Sequence, residues 1–475
     1  MNILWIVADT LRWDYVGCYG NDWIKTPNLD KLAGQSTLFL DAYAEGLPTL
    51  PARRAMMTGR PISPARYIPQ PSEAIINYGW HPLFDQDVTA AEWLKDHGYT
   101  TAFITDVYHM MKPGKNFHRG FDCWRWIRGQ EDDRYALRDR GQVADLLRQM
   151  GTEPEAVQAD HWIIQHLMNR KDWKSDTDTS VAQVMTTAAD WLSHYTLAKP
   201  FFMWVDCFDP HEPWDPPAED ARLYYPDYEE QLQAILRPSN VDGLTQHEMA
   251  CIKAAYAGEV TLVDRWIGHL LDALSECGRA GDTLIVFTSD HGTMMGEQGQ
   301  LGKGETRLRN QCTKVPLLIR HPDGQGSGQQ VSGFVQHTDI LPTVLGIAGL
   351  DVPDRVLGKN VWPFDRDDEE LHRESIFIGW SRYCSLRASK WNLIMPMMEL
   401  REDEELVREL YDLENDPEEL NNVIGDYPEV ARELADLAND YIERQAPLTE
   451  GTIQEYNASV ARQVRVTFDA LPGHP

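Results

Sequence analysis

Residues 3–8 read Ile3-Leu4-Trp5-Ile6-Val7-Ala8, and the run stops at Asp9. It is too short for a helix and shows no alternation, which is the pattern of a strand buried on both faces. Four further runs have the same form: residues 101–104, 201–205, 284–287 and 315–319. Most are rich in β-branched or aromatic side chains. Helical stretches separate them. Between 180 and 195, Val181, Val184, Met185, Ala188, Trp191, Leu192 and Tyr195 share one stripe at helical spacing, and Pro200 closes the unit. Residues 254–274 are amphipathic and free of proline. Strands alternating with helices predict an α/β fold, a doubly wound, mainly parallel sheet sandwiched by helices.

Residues 126–178 are polar, charged and irregular, and are expected to form a partly helical cap within a catalytic domain spanning 1–365. An acidic stretch after Pro363 marks the boundary. Beyond it, 366–475 is expected as a smaller C-terminal α+β subdomain. It should hold antiparallel strands over 374–398, a helix over 429–444 and a tail from 445. No internal repeat is present.

The 475 residues carry 44 basic and 74 acidic side chains, a net charge of -30. Such a charge repels nucleic-acid phosphates and anionic membranes at long range. No run approaches the ~18 apolar residues of a membrane span. A small anionic ester remains an admissible substrate, because a few cations and a metal can invert the field inside a cleft. The seven cysteines are odd in number and show no C-x-x-C spacing, which fits a reducing compartment better than a disulfide framework. The first apolar run has no basic segment ahead of it and ends at Asp9, unlike a signal peptide. The expectation is a cytoplasmic protein with neither nucleic acid nor membrane as partner.

Ligands of parallel α/β sheets collect beyond the carboxyl ends of the strands. Asp9 follows the run 3–8. Asp206, Asp209 and His211 follow 201–205, and Asp290 and His291 follow 284–287. A single acid is an ordinary turn cap. Three strand ends delivering acids and histidines to one edge suit a divalent cation with mixed oxygen and nitrogen donors. Thr49-Leu50-Pro51-Ala52-Arg53 adds a hydroxyl at a helix start, a proline in the first turn and an arginine one turn on. That combination suits a tetrahedral anion. A plain capping threonine with a surface arginine would be spelled the same way.

Together these pieces resemble the sulfatase branch of the alkaline phosphatase superfamily. The likeness runs in order along nearly the whole chain: residues 2–12 (NILWIVADTLR), 17–21 (GCYGN), 26–30 (TPNLD), 49–60 (TLPARRAMMTGR), 211–213 (HEP), 290–303 (DHGTMMGEQGQLGK) and 409–417 (ELYDLENDP). The resemblance implies Asp9, Asp290 and His291 as metal ligands. It places Thr49 at the nucleophile position, where its hydroxyl can complete the metal's donor set, with Arg53 beside it. His211 and Lys303 resemble the family's leaving-group and anion-binding residues. One divalent metal ion is implied, and the Asp/His set favours manganese or zinc, with calcium compatible. Relatives of this kind often form dimers or tetramers, so a homo-oligomer is expected.

Three departures from the family pattern bear on the reaction. Position 49 is threonine, where sulfatases carry a cysteine or serine that is oxidised to formylglycine. A formylglycine hydrate expels sulfate by collapsing to an aldehyde, and a threonine ester has no second hydroxyl with which to do so. Water can instead cleave a phosphothreonine at phosphorus, so Thr49 points to phosphodiesters or phosphonate monoesters. Position 10 is threonine, where many sulfatases place a second aspartate. Thr105-Asp106-Val107-Tyr108-His109 lacks the lysine of the usual Gly-Lys-x-His. Tyr108 and His109 are expected to line the substrate cleft, a buried structural histidine being the other reading of His109. Asp206, Asp209 and His337 are available to a second metal and are taken as structural. Two other functions stay open: a sulfuric ester hydrolase in which Thr49 replaces the formylglycine precursor, and an inactive member that binds an anion.

Overall fold

The computed structural model describes residues 1–64, 79–85, 87–112, 114–137, 140–149, 152–157, 161–230, 239–363, 373–397 and 406–445. Packing divides the chain into two units that interleave along the sequence. The first comprises 1–40, 89–303 and 315–332, and the second 41–88, 304–314 and 333–475. The composition shift predicts one cut at 365 instead. That position falls in 364–372, outside the described residues, as does the tail from 446.

The first unit is built on an eight-stranded sheet. Its order is Gln330–Val331, Thr37–Phe39, Leu317–Arg320, Thr283–Ser289, Asn2–Ala8, Phe201–Cys207, Thr100–Thr105 and Cys123–Trp126. Neighbours run parallel except at Leu317–Arg320, which is antiparallel on both sides. All five apolar runs contribute strands to it. The last starts at Leu317 because Pro316 has no N–H to give to a ladder. Every residue of Asn2–Ala8, Phe201–Cys207 and Thr283–Ser289 is buried. Trp5 and Trp204 lie in register and stack with ring centres 4.7 Å apart.

Two long helices of this unit begin at side-chain caps. The Thr179 hydroxyl accepts from the Ala182 N–H and opens Ser180–His194, whose stripe buries Val181, Val184, Met185, Ala188 and Leu192. Thr245 and Glu248 form a capping box that opens Gln246–Glu276 well before residue 254, where the apolar periodicity becomes strong. Gly258 lets this helix close on Ala218–Arg222, since a Cβ there would meet the Ala221 nitrogen at 2.8 Å. The insertion carries helices Arg140–Gln149 and Trp162–Arg170. Val143, Leu147, Ile163, Ile164, Leu167 and Met168 form a small core of its own. No helix among the described residues is long and apolar enough to cross a membrane, and the seven cysteines are free thiols.

The second unit holds a five-stranded sheet ordered Glu409–Asp412, Trp391–Pro396, Tyr383–Ala388, Ser375–Trp380 and Gly46–Leu47. The first four are antiparallel, and Gly46–Leu47 adds in parallel. A helix over 428–445 packs Leu434 and Ala438 against Phe377, Leu393 and Leu410. Helix Leu50–Thr58, which starts at Thr49, belongs to this unit.

Replacing Gly258 by alanine tests the close helix contact. Helix propensity alone favours alanine by about 0.8–1 kcal/mol, whereas overpacking against backbone costs about 1–3 kcal/mol. Gly258→Ala is expected to lower the urea midpoint. A raised midpoint would show that the two helices have room to part.

Candidate active site

In-register pairing sets Ala8 beside Cys207 on one side and Ser289 on the other. The chain therefore leaves the three central strands at one level, with Asp9, Phe208 and Asp290 as the exit residues. Asp9, Asp290 and His291 are wholly buried, with ligand atoms within 4.8 Å of one another. Asp290 Oδ1 accepts from the N–H groups of Thr10 at 2.9 Å and His291 at 2.8 Å. His291 Nδ1 donates to the Gly292 carbonyl at 3.0 Å. Its Nε2 lone pair is then set 3.5 Å from Asp290 Oδ2 and 3.9 Å from Asp9 Oδ1. Burial pushes this imidazole down to about 4, so it is neutral at physiological pH. A lone pair and two carboxylates converging away from water repel one another. A divalent cation turns that repulsion into attraction, so the donor set fits one. Among the described residues this is the single cluster of its kind.

Thr10, where the family often has a second acid, keeps a left-handed backbone with φ 62°. That is a costly conformation for a β-branched residue. Its N–H is held by Asp290, and its carbonyl accepts from Tyr256 Oη at 2.8 Å. The Thr10 hydroxyl donates to Asp9 Oδ1 at 2.7 Å and accepts from Lys303 Nζ at 3.4 Å. Lys303 also donates to His211 Nε2 at 2.9 Å and to Glu212 at 2.7 Å. His211 Nδ1 is hydrogen-bonded to the Glu212 carbonyl, which leaves Nε2 as an acceptor. Burial pushes His211 down to about 3. Burial opposes the charge on Glu212, but His211 and Lys303 outweigh it and hold the carboxyl at about 2. His211 is thus the neutral member of the pair and accepts from Lys303. Asp9, Asp290 and Glu212 against Lys303 leave two formal negative charges, which one divalent ion would balance.

Glu212 was not singled out from the sequence, although its place next to His211 was the available signal. Glu131 was also missed, because nothing marks it within an irregular insertion. It accepts from Tyr108 Oη at 2.5 Å and lies 3.5 Å from His109 Nε2. Tyr108 and His109 share helix Tyr108–Met111 and are buried. Phe208 packs on both and stacks on His211 at 4.0 Å. Asp206 accepts from Trp204 Nε1 at 3.0 Å, and Asp209 from Gln130 Nε2 at 2.7 Å. Neither belongs to the metal-type cluster.

In the second unit, Thr49 is the N-cap residue of Leu50–Thr58 but makes no side-chain capping bond. It too is left-handed, with φ 45°. Arg53 is wholly buried, and its guanidinium donates to the Thr49 carbonyl at 3.3 Å. The bland reading of a capping threonine and a surface arginine therefore fails on both residues. His337 begins helix His337–Ile347 in the same unit and is buried.

The sulfatase family model matches residues 1–350, and a model for the C-terminal part of N-sulphoglucosamine sulphohydrolase matches 296–446. An uncharacterized sulfatase of Escherichia coli, YidJ, is 27% identical over 479 residues, covering 93% of this chain and 87% of the relative. An arylsulfatase of Clostridium perfringens is 26% identical over 98% of this chain and 99% of its own. Among solved structures, the phosphonate monoester hydrolase of Agrobacterium radiobacter superposes with a TM-score of 0.70 at 25% identity, covering 94% of this chain and 95% of that one.

Two measurements test this site. Asp290→Asn should bind divalent metal more weakly by about tenfold or more, read by calorimetry on purified protein, and unchanged affinity would remove Asp290 from the ligand set. His211 titrates at about 3 when folded against 6.5 ordinarily. As pH falls below 6.5 the unfolded chain takes up a proton that the folded one refuses, so stability drops. His211→Gln should flatten urea stability between pH 6.5 and 5 by up to about 1.4 kcal/mol per pH unit.

Proposed function

The chain belongs to the sulfatase family, and on that premise we propose that it is a metal-dependent hydrolase of phosphodiesters or phosphonate monoesters with Thr49 as nucleophile. That it is an ester hydrolase of this superfamily follows from membership. The preference for phosphorus rests on one observation, a threonine that does not cap its helix at position 49. The motif order along the chain assigns Thr49 and Arg53 to the same reaction as Asp9, Asp290 and His291.

Thr49 Oγ1 gives up its proton to solvent and attacks phosphorus, the new O–P bond forms, and the bond to the leaving oxygen breaks; Lys303 regains its proton from solvent afterwards. Arg53 offers a planar fork to two oxygens of the transferred group as charge spreads over them. Lys303 Nζ carries the proton for the departing alkoxide, and neutral His211 accepts from Lys303 and holds its direction. Glu212 holds Lys303 in place through both carboxylate oxygens. Water then cleaves the phosphothreonine at phosphorus and returns the free hydroxyl. A divalent ion held by Asp9, Asp290 and His291 would supply Lewis acidity and lower the pKa of a hydroxyl bound to it. The substrate is read as a small anionic ester, since the overall charge of -30 repels large polyanions.

Sulfate-ester hydrolysis is the second reading, favoured by the full-length likeness to an arylsulfatase. It requires water, or a hydroxyl that transfers sulfate, to replace the formylglycine route.

The deciding assay uses enzyme stripped and reloaded with manganese, zinc or calcium. It compares nitrophenyl esters of a phosphodiester, a phosphonate, a phosphate and a sulfate. A lead for diester or phosphonate of about a hundredfold, near 2.7 kcal/mol of transition-state preference, is the expected result. A lead for sulfate would overturn the argument from Thr49. Thr49→Ala should abolish turnover, and full retained activity would remove it as nucleophile.

A further inference from the structure

His211 and Glu212 lie in the loop 208–215, between strand Phe201–Cys207 and helix Ala218–Arg222. The loop is tied to itself. The His211 N–H donates to the Phe208 carbonyl at 2.9 Å, and Trp214 Nε1 donates to the Pro210 carbonyl at 3.2 Å. A shift at either end is therefore carried to His211.

Both ends are held by the insertion. Gln130 Nε2 donates to Asp209 Oδ1 at 2.7 Å. At the far end, Asp215 Oδ2 accepts from His166 Nε2 at 2.8 Å and from the Arg170 guanidinium, both on helix Trp162–Arg170. A third element joins at the backbone. The Asp215 N–H donates to Glu259 Oε1 at 2.6 Å, on the long helix Gln246–Glu276. Burial works against the Asp215 charge, but Arg170 and His166 more than offset it and hold the carboxyl below its usual range. The side chain is 9% exposed and His166 2%. Removing an ion pair from water costs several kcal/mol per ion before any gain. An exposed polar tie would anchor a surface helix at less cost. This one pulls a carboxylate on the His211 loop into the interior.

We infer that Asp215 is a positioning residue for His211, and that the insertion acts on catalysis by clamping the 208–215 loop through His166 and Arg170 on Asp215 and Gln130 on Asp209. The inference rests on the reading that His211 and Lys303 serve the leaving group. If the clamp slips, the Lys303–His211 contact loosens and protonation of the departing oxygen suffers. A good leaving group needs little help from that proton and a poor one needs much. The insertion then governs how poor a leaving group the enzyme tolerates, beyond any contact it makes with substrate.

The test compares kcat/KM of the metal-loaded enzyme on nitrophenyl and unsubstituted phenyl esters of the same acid. Asp215→Asn and Arg170→Met are expected to lose about tenfold more on the phenyl ester than on the nitrophenyl ester, as a proton-donor defect would. His211→Ala should show the same bias, and Arg170→Lys should recover most of the loss. Arg170 is partly exposed (18%), so its two variants carry the test if Asp215→Asn does not fold. Equal losses on both esters in the Asp215 and Arg170 variants, beside a biased His211→Ala, would mean that the tie is structural only and would overturn the inference. An unbiased His211→Ala would instead overturn the leaving-group assignment, and the clamp with it.

Discussion

Two carboxylates and an imidazole lone pair, all cut off from water, are forced together at the end of one sheet. In a low-dielectric interior that convergence is costly unless opposite charge answers it. Much of the first unit serves to hold the groups there. Parallel register brings Ala8 and Ser289 level, so Asp9 and Asp290 emerge side by side. Thr10 turns through a left-handed conformation, which allows its N–H to reach Asp290 and its hydroxyl to reach Asp9. Tyr256 pins that turn from the long helix, and three residues further along Glu259 pins the His211 loop. One helix face thus supports both loops of the site.

The two threonines distinguish this chain from the family pattern, and they work in opposite senses. At position 10 an expected acid becomes a neutral donor, which softens the negative charge around Asp9 and hands Lys303 a third partner beside His211 and Glu212. At position 49 an expected precursor of an aldehyde hydrate becomes a simple alcohol. Both sit at positive φ, where a β-branched side chain is strained. Neither conformation follows from threonine's own preferences, so the surroundings impose both.

The strands were legible because each is a short apolar run buried on both sides, and the acids at their ends were legible because parallel sheets put ligands there. The cluster of Asp9, Asp290 and His291 was readable for that reason. The start of Gln246–Glu276 was spelled by Thr245 and Glu248, but the polar first turns hid it from a search for apolar periodicity. Cys123–Trp126 escaped because it is a four-residue edge strand with its middle residues exposed and Arg125 interrupting the apolar run. Glu131, His166 and Arg170 act through tertiary contacts made across an irregular insertion, and no local pattern signals those. The interleaving of the two units was hidden for the same reason. Gly46–Leu47 is too short to announce that it pairs with Ser375–Trp380, far along the chain.

That interleaving has a consequence for how the protein is made. The growing chain passes from the first unit to the second and back before either is complete. Leu317–Arg320 and Gln330–Val331 are the last strands of the first sheet to leave the ribosome, long after Asn2–Ala8 at its centre. The oldest strand must wait for partners made hundreds of residues later, so neither unit can mature as an independent N-terminal domain during synthesis. Until residue 331 has emerged, the edge of that sheet beside Thr37–Phe39 is unfinished, and nascent chains halted short of it would be candidates for chaperone capture.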